Sequence, residues 1–276
     1  LTGIVVAAMA LPFIGGAGVL TRDTIRGFES LPDSLSTPPL PQRTQILAAD
    51  GSLLASLYYQ NRDEVPLLAI APVMRQAIVS VEDARFLDHG GVDMRGILRS
   101  LTANASAGGV QQGSSTLTMQ YVKNVLVNQA ATPEELASAR GRSAARKLRE
   151  VRYAIALEKQ YTKADILERY LNIAYFGSGA YGIEAASRRY FGKAASELTL
   201  PEAATLAGIV QSPSRFDPLL HPDQSQARRD IVLGRMRDQG YITADQATQA
   251  MQIPMNQLVN PSTTANGCTS SYAPFF

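Results

Sequence analysis

The first 20 positions, Leu1 to Leu20, carry no charge and are mostly aliphatic residues, alanine and glycine. A run of that length is what an α-helix needs to cross the hydrocarbon core of a bilayer, so the pattern predicts a transmembrane anchor over residues 1–21. A cleaved signal peptide fits less well: its apolar stretch is shorter and follows basic charge, whereas here Arg22 comes after the run. Because the chain opens on Leu1 and not on Met, a preceding piece carrying the orienting charges is expected. Four prolines between Leu31 and Pro41 then break any period and read as a stiff spacer. Apolar runs at Gln45–Ala48 and Leu53–Tyr59 flank Asp50-Gly51, a dipeptide suited to the positive φ angles of a two-residue hairpin turn. Residues 22–65 are therefore expected to form a spacer and β-hairpin linker.

Beyond Pro66 the apolar positions recur at helical spacing. Met74, Ile78 and Val81 make one stripe and Leu148, Val151 and Ile155 another, while Thr162 with Asp165 and Thr199 with Glu202 read as capping boxes. Strand patterns are few. Residues 66–250 thus predict a mainly α-helical domain, with a loop around Ser212-Pro213-Ser214 and Pro218 to Pro222. A turn-rich tail follows over 251–276.

Composition narrows the chemistry. A hydrophobic content of 45% and a charged content of 18% in 276 residues exclude a disordered, collagen-like or disulfide-dense chain. A net charge of +2 argues against a general nucleic-acid binder. Cys268 is the one cysteine, and His89 and His221 are the two histidines, which leaves little from which to build a thiolate or imidazole metal site. Oxygen-ligated cations stay open. No Walker-A lysine and no H-E-x-x-H occurs.

Three segments carry candidate chemistry. Glu82 and Asp83 end the first apolar stripe, just before the Gly90-Gly91 turn; a carboxylate at a partly apolar helix end can be tuned as a general base or acid. The bland alternative is a solvated Glu-Asp pair beside Arg85. Gly113-Ser114-Ser115-Thr116 precedes an amphipathic stretch containing Gln120, Lys123 and Asn124, a loop-to-helix junction that suits an anion or serves only as a hydroxyl N-cap. Between Arg140 and Arg152 lie six cations and a single acid, Glu150. Arg146 and Lys147 stand four and three residues before Glu150, which places one carboxylate between two cations. Such a cluster is either a solvated helix face or a seat for a multiply charged phosphate. A fourth stretch, Gly177-Ser178-Gly179-Ala180-Tyr181-Gly182, matches G-x-G-x-x-G, but a capped helix and not a strand precedes it, so its glycines read as turn formers.

Taken in order, Glu82-Asp83-x-x-Phe86-x-x-His89-x-Gly91, Gly113 to Thr118 and Arg146-Lys147-x-x-Glu150 resemble the peptidoglycan glycosyltransferase domain of class A penicillin-binding proteins, glycosyltransferase family 51. Ile166 to Asn172 and Gly179 to Ala186 extend the resemblance over about residues 66–240. It implies a mainly α, lysozyme-like domain with a smaller membrane-facing lobe. It also implies polymerisation of lipid II into β-1,4 glycan, with Glu82 as the base for the acceptor 4-hydroxyl and Glu150 as a second, stabilising carboxylate. Lys123, Arg142, Arg146 and Lys147 match positions around the pyrophosphate. Ser115, Thr116 and Gln120 match substrate contacts, as do Asp83, Phe86, His89, Gly113 and Asn124. Where the family often has two glutamines, this sequence has Met119-Gln120.

By the same resemblance no organic cofactor is needed, and Mg²⁺ or Mn²⁺, held through oxygens of Glu82 and Glu150, is the cation to test. The implied partners are lipid II, the growing glycan, the membrane and cell-division or elongation proteins, with no nucleic acid. The implied location is the cell membrane, single-pass, with the catalytic domain on the extracytoplasmic face. Neither S-x-x-K nor K-T-G, the transpeptidase signatures, occurs in the chain, so residues 251–276 are expected to lead towards an absent transpeptidase domain, and acylation by penicillin is not expected. A lytic glycosidase and a non-catalytic membrane scaffold are the competing readings.

Overall fold

The computed structural model describes residues 34–93, 95–96, 115–141, 143–263 and 266–267. The expected anchor over 1–21, Gly113, Arg142 and the tail from Cys268 lie outside the described residues. Within them, no helix is long and apolar enough to cross a membrane.

The hairpin forms where the alternation predicts it. Strand β1 (Thr44–Leu47) pairs antiparallel with β2 (Leu53–Leu57), with Thr44 opposite Leu57 and Ile46 opposite Ala55. Its turn differs from the two-residue form expected. The connection runs from Ala48 to Ser52, and of Asp50-Gly51 only Gly51 has positive φ, at 84°. Asp50 instead accepts hydrogen bonds from the Ser52 amide at 2.9 Å and the Ser52 hydroxyl at 2.7 Å. A side chain that closes its own turn in this way lengthens the loop. Asn266 and Gly267 return to β2, where the Gly267 N–H donates to the Ser56 carbonyl at 2.8 Å.

The other regular elements among the described residues are helices, as the 3.6-residue period predicts. In chain order the helices are α1 (Pro72–Glu82), α2 (Leu117–Gln129), α3 (Pro133–Arg140), α4 (Ala144–Gln160) and α5 (Lys163–Ile173). They continue with α6 (Ile183–Phe191), α7 (Leu200–Ile209), α8 (Pro222–Asp238), α9 (Ala244–Met251) and the short α10 (Met255–Leu258). Both capping boxes read from the sequence are present, at Thr162/Asp165 and Thr199/Glu202. Every residue of α7 from Pro201 to Ile209 is buried. A helix apolar on all sides belongs in a core, and α1 and α8 pack on it while α9 rests on α8. On the other side α2 packs against α4 and α5.

One predicted stripe is only partly inward, with Val151 packed on the core. Leu148 and Ile155 are 37% and 39% exposed, and the inward face of α4 is Glu150, Tyr153, Ala154 and Leu157. These positions follow the i, i+3, i+4, i+7 spacing of a buried face, but a carboxylate occupies one of them and disguises it. The Gly177–Gly182 stretch is a turn with left-handed backbone at all three glycines, as the preceding helix α5 implied. Asn172, at the end of α5, exchanges hydrogen bonds with the Val65 backbone at 2.8 and 3.1 Å and accepts one from the buried Arg62 at its carbonyl, fixing the linker to the domain.

At Gly91 the segment after α1 packs against the backbone of α4. A Cβ there would lie 2.5 Å from the Ala154 carbonyl carbon, whereas one at Gly90 would meet nothing within 4 Å. Gly91→Ala is therefore expected to lower stability by about 1–3 kcal/mol through overpacking, with Gly90→Ala near neutral, in paired thermal unfolding experiments.

Candidate active site

Between the α1/α7/α8 group and the α2/α4/α5 group opens a cavity of about 920 Å³. Glu82, the last residue of α1, enters it from one side. The final carbonyls of a helix have no partner within it, and here α8 and the residue that caps it supply them: Arg235 donates to the Val81 carbonyl at 2.6 Å and Gln239 to the Ser80 carbonyl at 2.9 Å. The end of α1 is thereby held against α8.

Glu82 accepts a hydrogen bond from Gln120 Nε2 at 2.9 Å. Burial raises its pKa above the ordinary 4.5, against the opposing effects of the Gln120 hydrogen bond and the charges of Arg228 and Arg235; neighbouring Asp83 acts in the raising direction. Desolvation therefore outweighs the cations, and a carboxyl group with a raised pKa is a stronger base once ionised.

Asp83 does something different. Its Oδ1 lies 2.7 Å from His89 Nε2 and its Oδ2 accepts from the Leu117 N–H, at the start of α2, at 3.0 Å. The other His89 nitrogen faces the Gly90 carbonyl at 2.5 Å. Thr116 caps α2 by accepting from the Met119 N–H at 3.2 Å, and its hydroxyl donates to the Gly91 carbonyl at 2.9 Å. Together these bonds clamp the end of α1, the Gly90-Gly91 turn and the start of α2 into one rim. Arg85, the partner first considered for the acidic pair, bonds Asp93 instead.

The facing wall is cationic. Glu150 is 2% exposed; Arg146 donates to one of its oxygens, and Lys147 Nζ lies 3.3 Å from the other. Lys147 also donates to the Ser115 hydroxyl. Burial, then the charges of Arg146 and Lys123, bring the Lys147 pKa down to about 8. Burial, Arg146 and Arg140 lower that of Lys123. Cations held this close, partly desolvated, have unmet demand for negative charge.

Of the residues expected to act, the cavity brings together Glu82 and Asp83; Ser115, Thr116, Gln120, Lys123 and Asn124; and Arg146, Lys147 and Glu150. Phe86 and His89 stand behind the wall. Phe86 is fully buried in the core, with Lys163 Nζ 4.5 Å above its ring, and His89 is bonded to Asp83; neither is among the residues lining the cavity. Unforeseen are Arg228 and Arg235 from α8 and Tyr170 from α5, all lining the cavity. The two arginines are seven residues apart, a spacing that shares one helix face, and that was the available signal.

A base on one wall and clustered cations on the other can deprotonate a nucleophile while stabilising an anionic leaving group. A family model described as Transglycosylase matches residues 50–237, which takes in both walls. The chain belongs to the transglycosylase family. Over 207 residues it is 42% identical to penicillin-binding protein 1F of Bacillus subtilis, covering 75% of this chain and 28% of that protein. It is 42% identical over 212 residues to penicillin-binding protein 1A of Escherichia coli, with 77% and 24% covered. For penicillin-binding protein 1A of Aquifex aeolicus the figures are 38% over 230 residues, with 83% and 30% covered. The chain thus spans about a quarter to a third of the length of these relatives.

Glu150→Gln would leave Arg146 and Lys147 against a neutral amide. A loss of about 1–3 kcal/mol is expected in urea unfolding at neutral pH, below the ~3–5 kcal/mol of a fully buried pair because Lys147 is partly solvated.

Proposed function

We propose that this transglycosylase is a peptidoglycan glycosyltransferase that polymerises lipid II into β-1,4 glycan strands and releases undecaprenyl pyrophosphate. The observation that carries this reading is the asymmetry of the two glutamates. Glu82 is bonded by a neutral amide and has a raised pKa, while Glu150 is engaged by two cations.

In the proposed reaction Glu82 takes the proton from the acceptor 4-hydroxyl as its oxygen attacks the anomeric carbon of the donor. The bond from that carbon to the pyrophosphate oxygen breaks with inversion, and the electron pair leaves on the pyrophosphate. Such a leaving group needs positive charge and no proton donor, and Lys123, Arg146 and Lys147 supply the charge. A lytic glycosidase would need a second carboxyl group free to protonate an alkoxide. Glu150, with both oxygens committed, does not suit that task, which disfavours the lytic reading.

A divalent cation would need vacant oxygen ligands. Asp83, His89 and Asp93 have one donor atom each within 4.8 Å of one another. However, Asp83 already accepts from His89 and Leu117, and Asp93 from Arg85 and Gly96. These residues do not fit a resident metal, and no step is assigned to one. The same functional reading puts the enzyme at the cell membrane, anchored by residues 1–21 with the domain on the extracytoplasmic face, in the company of division or elongation proteins.

Glu82→Gln is expected to abolish polymer formation from lipid II on a sizing gel. A raised carboxyl pKa means that the folded state resists ionisation, so stability declines as pH rises from 4.5 through the raised value. At pH 7 the amide variant should accordingly melt at the wild-type temperature or above it. Wild-type polymerisation by this variant would overturn the assignment.

The pH dependence of kcat/KM should be bell-shaped. Its acid limb is set by Glu82, and its basic limb falls near 8 as Lys147 loses its proton. Lys147→Arg, which stays charged, should move the basic limb upward; an unchanged limb would remove Lys147 from the leaving-group site.

A further inference from the structure

Tyr170 has no exposed surface. Its hydroxyl donates to Gln120 Oε1 at 3.0 Å, and Gln120 Nε2 donates in turn to Glu82 Oε2 at 2.9 Å. A carboxamide has two ends of nearly equal size, one a donor and one an acceptor, so packing alone does not decide which end faces Glu82. The phenol decides it. Burial, and then the nearby Glu82 charge, keep the Tyr170 hydroxyl protonated well above its ordinary pKa, so it remains a donor at working pH. A donor on that side draws the amide oxygen and turns the amide N–H groups towards the carboxylate.

Resting on the reading of Glu82 as the base, we propose that Tyr170 is a positioning residue for the reaction: through Gln120 it holds an N–H on Glu82 and so keeps that carboxylate the proton acceptor. Were the amide to turn over, its oxygen would face Glu82, an arrangement that only a protonated carboxyl could satisfy. The other charged groups acting on Glu82 are Asp83 beside it and Arg228 and Arg235 from α8. None of them hydrogen-bonds Gln120, whose side-chain partners are Glu82 and Tyr170, and all persist when the Tyr170 hydroxyl is removed.

The test is Tyr170→Phe, which keeps the buried ring and deletes only the donor. The Glu82 carboxyl is titrated by ¹³C NMR without substrate, its signal identified by its absence from Glu82→Gln, and kcat/KM for lipid II is followed against pH. Loss of a hydrogen bond to the charged form should raise the Glu82 midpoint by about one pH unit and carry the acid limb of kcat/KM up with it. Gln120→Met should raise the midpoint similarly, and adding Tyr170→Phe to it should raise it no further.

An unmoved midpoint in Tyr170→Phe, or an additive effect in the double variant, overturns the proposal. A uniform loss of activity at all pH values with an unmoved midpoint is the signature of a merely structural tyrosine and overturns it equally. A raised midpoint with an unmoved acid limb instead overturns Glu82 as the base, and with it any part of Tyr170 in the reaction. Because the titration needs no turnover, a chain that fails to polymerise lipid II would end the functional reading while the relay is still measured.

Discussion

Ending a helix on a carboxylate, inside a protein wall, is unfavourable on two counts. Burial penalises the charge, and the C-terminal end of a helix is the negative end of its dipole. Glu82 stands in that position, and much of the surrounding architecture offsets it. The two carbonyls just before it are met by Arg235 and Gln239, Arg228 lends charge from the same helix, and Gln120 gives a neutral hydrogen bond. These partners come from α8, the residue that caps it and α2, which are remote in sequence from α1. The geometry therefore depends on α7, buried from Pro201 to Ile209, on which both α1 and α8 rest.

The opposite wall solves the reverse problem. There the cations are crowded and the carboxylate is the partner that makes the crowd tolerable. Glu150 sits one turn beyond Arg146 and Lys147 on the same helix, so local geometry assembles the triad before any tertiary packing. This is why it was readable from spacing alone. The Asp83 clamp then sets the distance between the walls, because a single side chain bonds both the turn after α1 and the first N–H of α2.

What the sequence conveyed and what it withheld divides along the same line. Capping boxes, the position of Glu82 at a helix end and the Arg146-Lys147-Glu150 arrangement are contacts within a few residues, and all were legible. Arg228 was not: its contribution is made 146 positions from Glu82 in sequence, and its seven-residue spacing to Arg235 marks a shared helix face without marking what that face meets. The stripe of Leu148, Val151 and Ile155 misled for a related reason. Hydropathy ranks a leucine above a glutamate, yet on α4 the buried position belongs to Glu150 because its two cations come with it. Phe86 and His89 have places that no local pattern conveys. Both stand where the resemblance puts them in sequence, but one fills the core and the other orients Asp83.

The depressed pKa of Lys147 gives the cationic wall a direction of response. Its ordinary value is 10.5, and burial with two neighbouring cations brings it to about 8, so near neutral pH the site holds its proton against a standing repulsion. An anion placed among these cations relieves that repulsion, and linkage makes the effect reciprocal: whatever raises the lysine's affinity for its proton is raised in affinity by the proton to the same degree. A wall tuned in this way gains most from a group that carries the most negative charge. In the proposed reaction that group is the departing pyrophosphate, whose charge grows as the bond breaks, so the favourable interaction is largest at the transition state and not in the ground state. Glu150 already satisfies part of the cations' demand for negative charge. Glu82 on one side and Lys147 on the other are thus both shifted by burial towards their neutral forms.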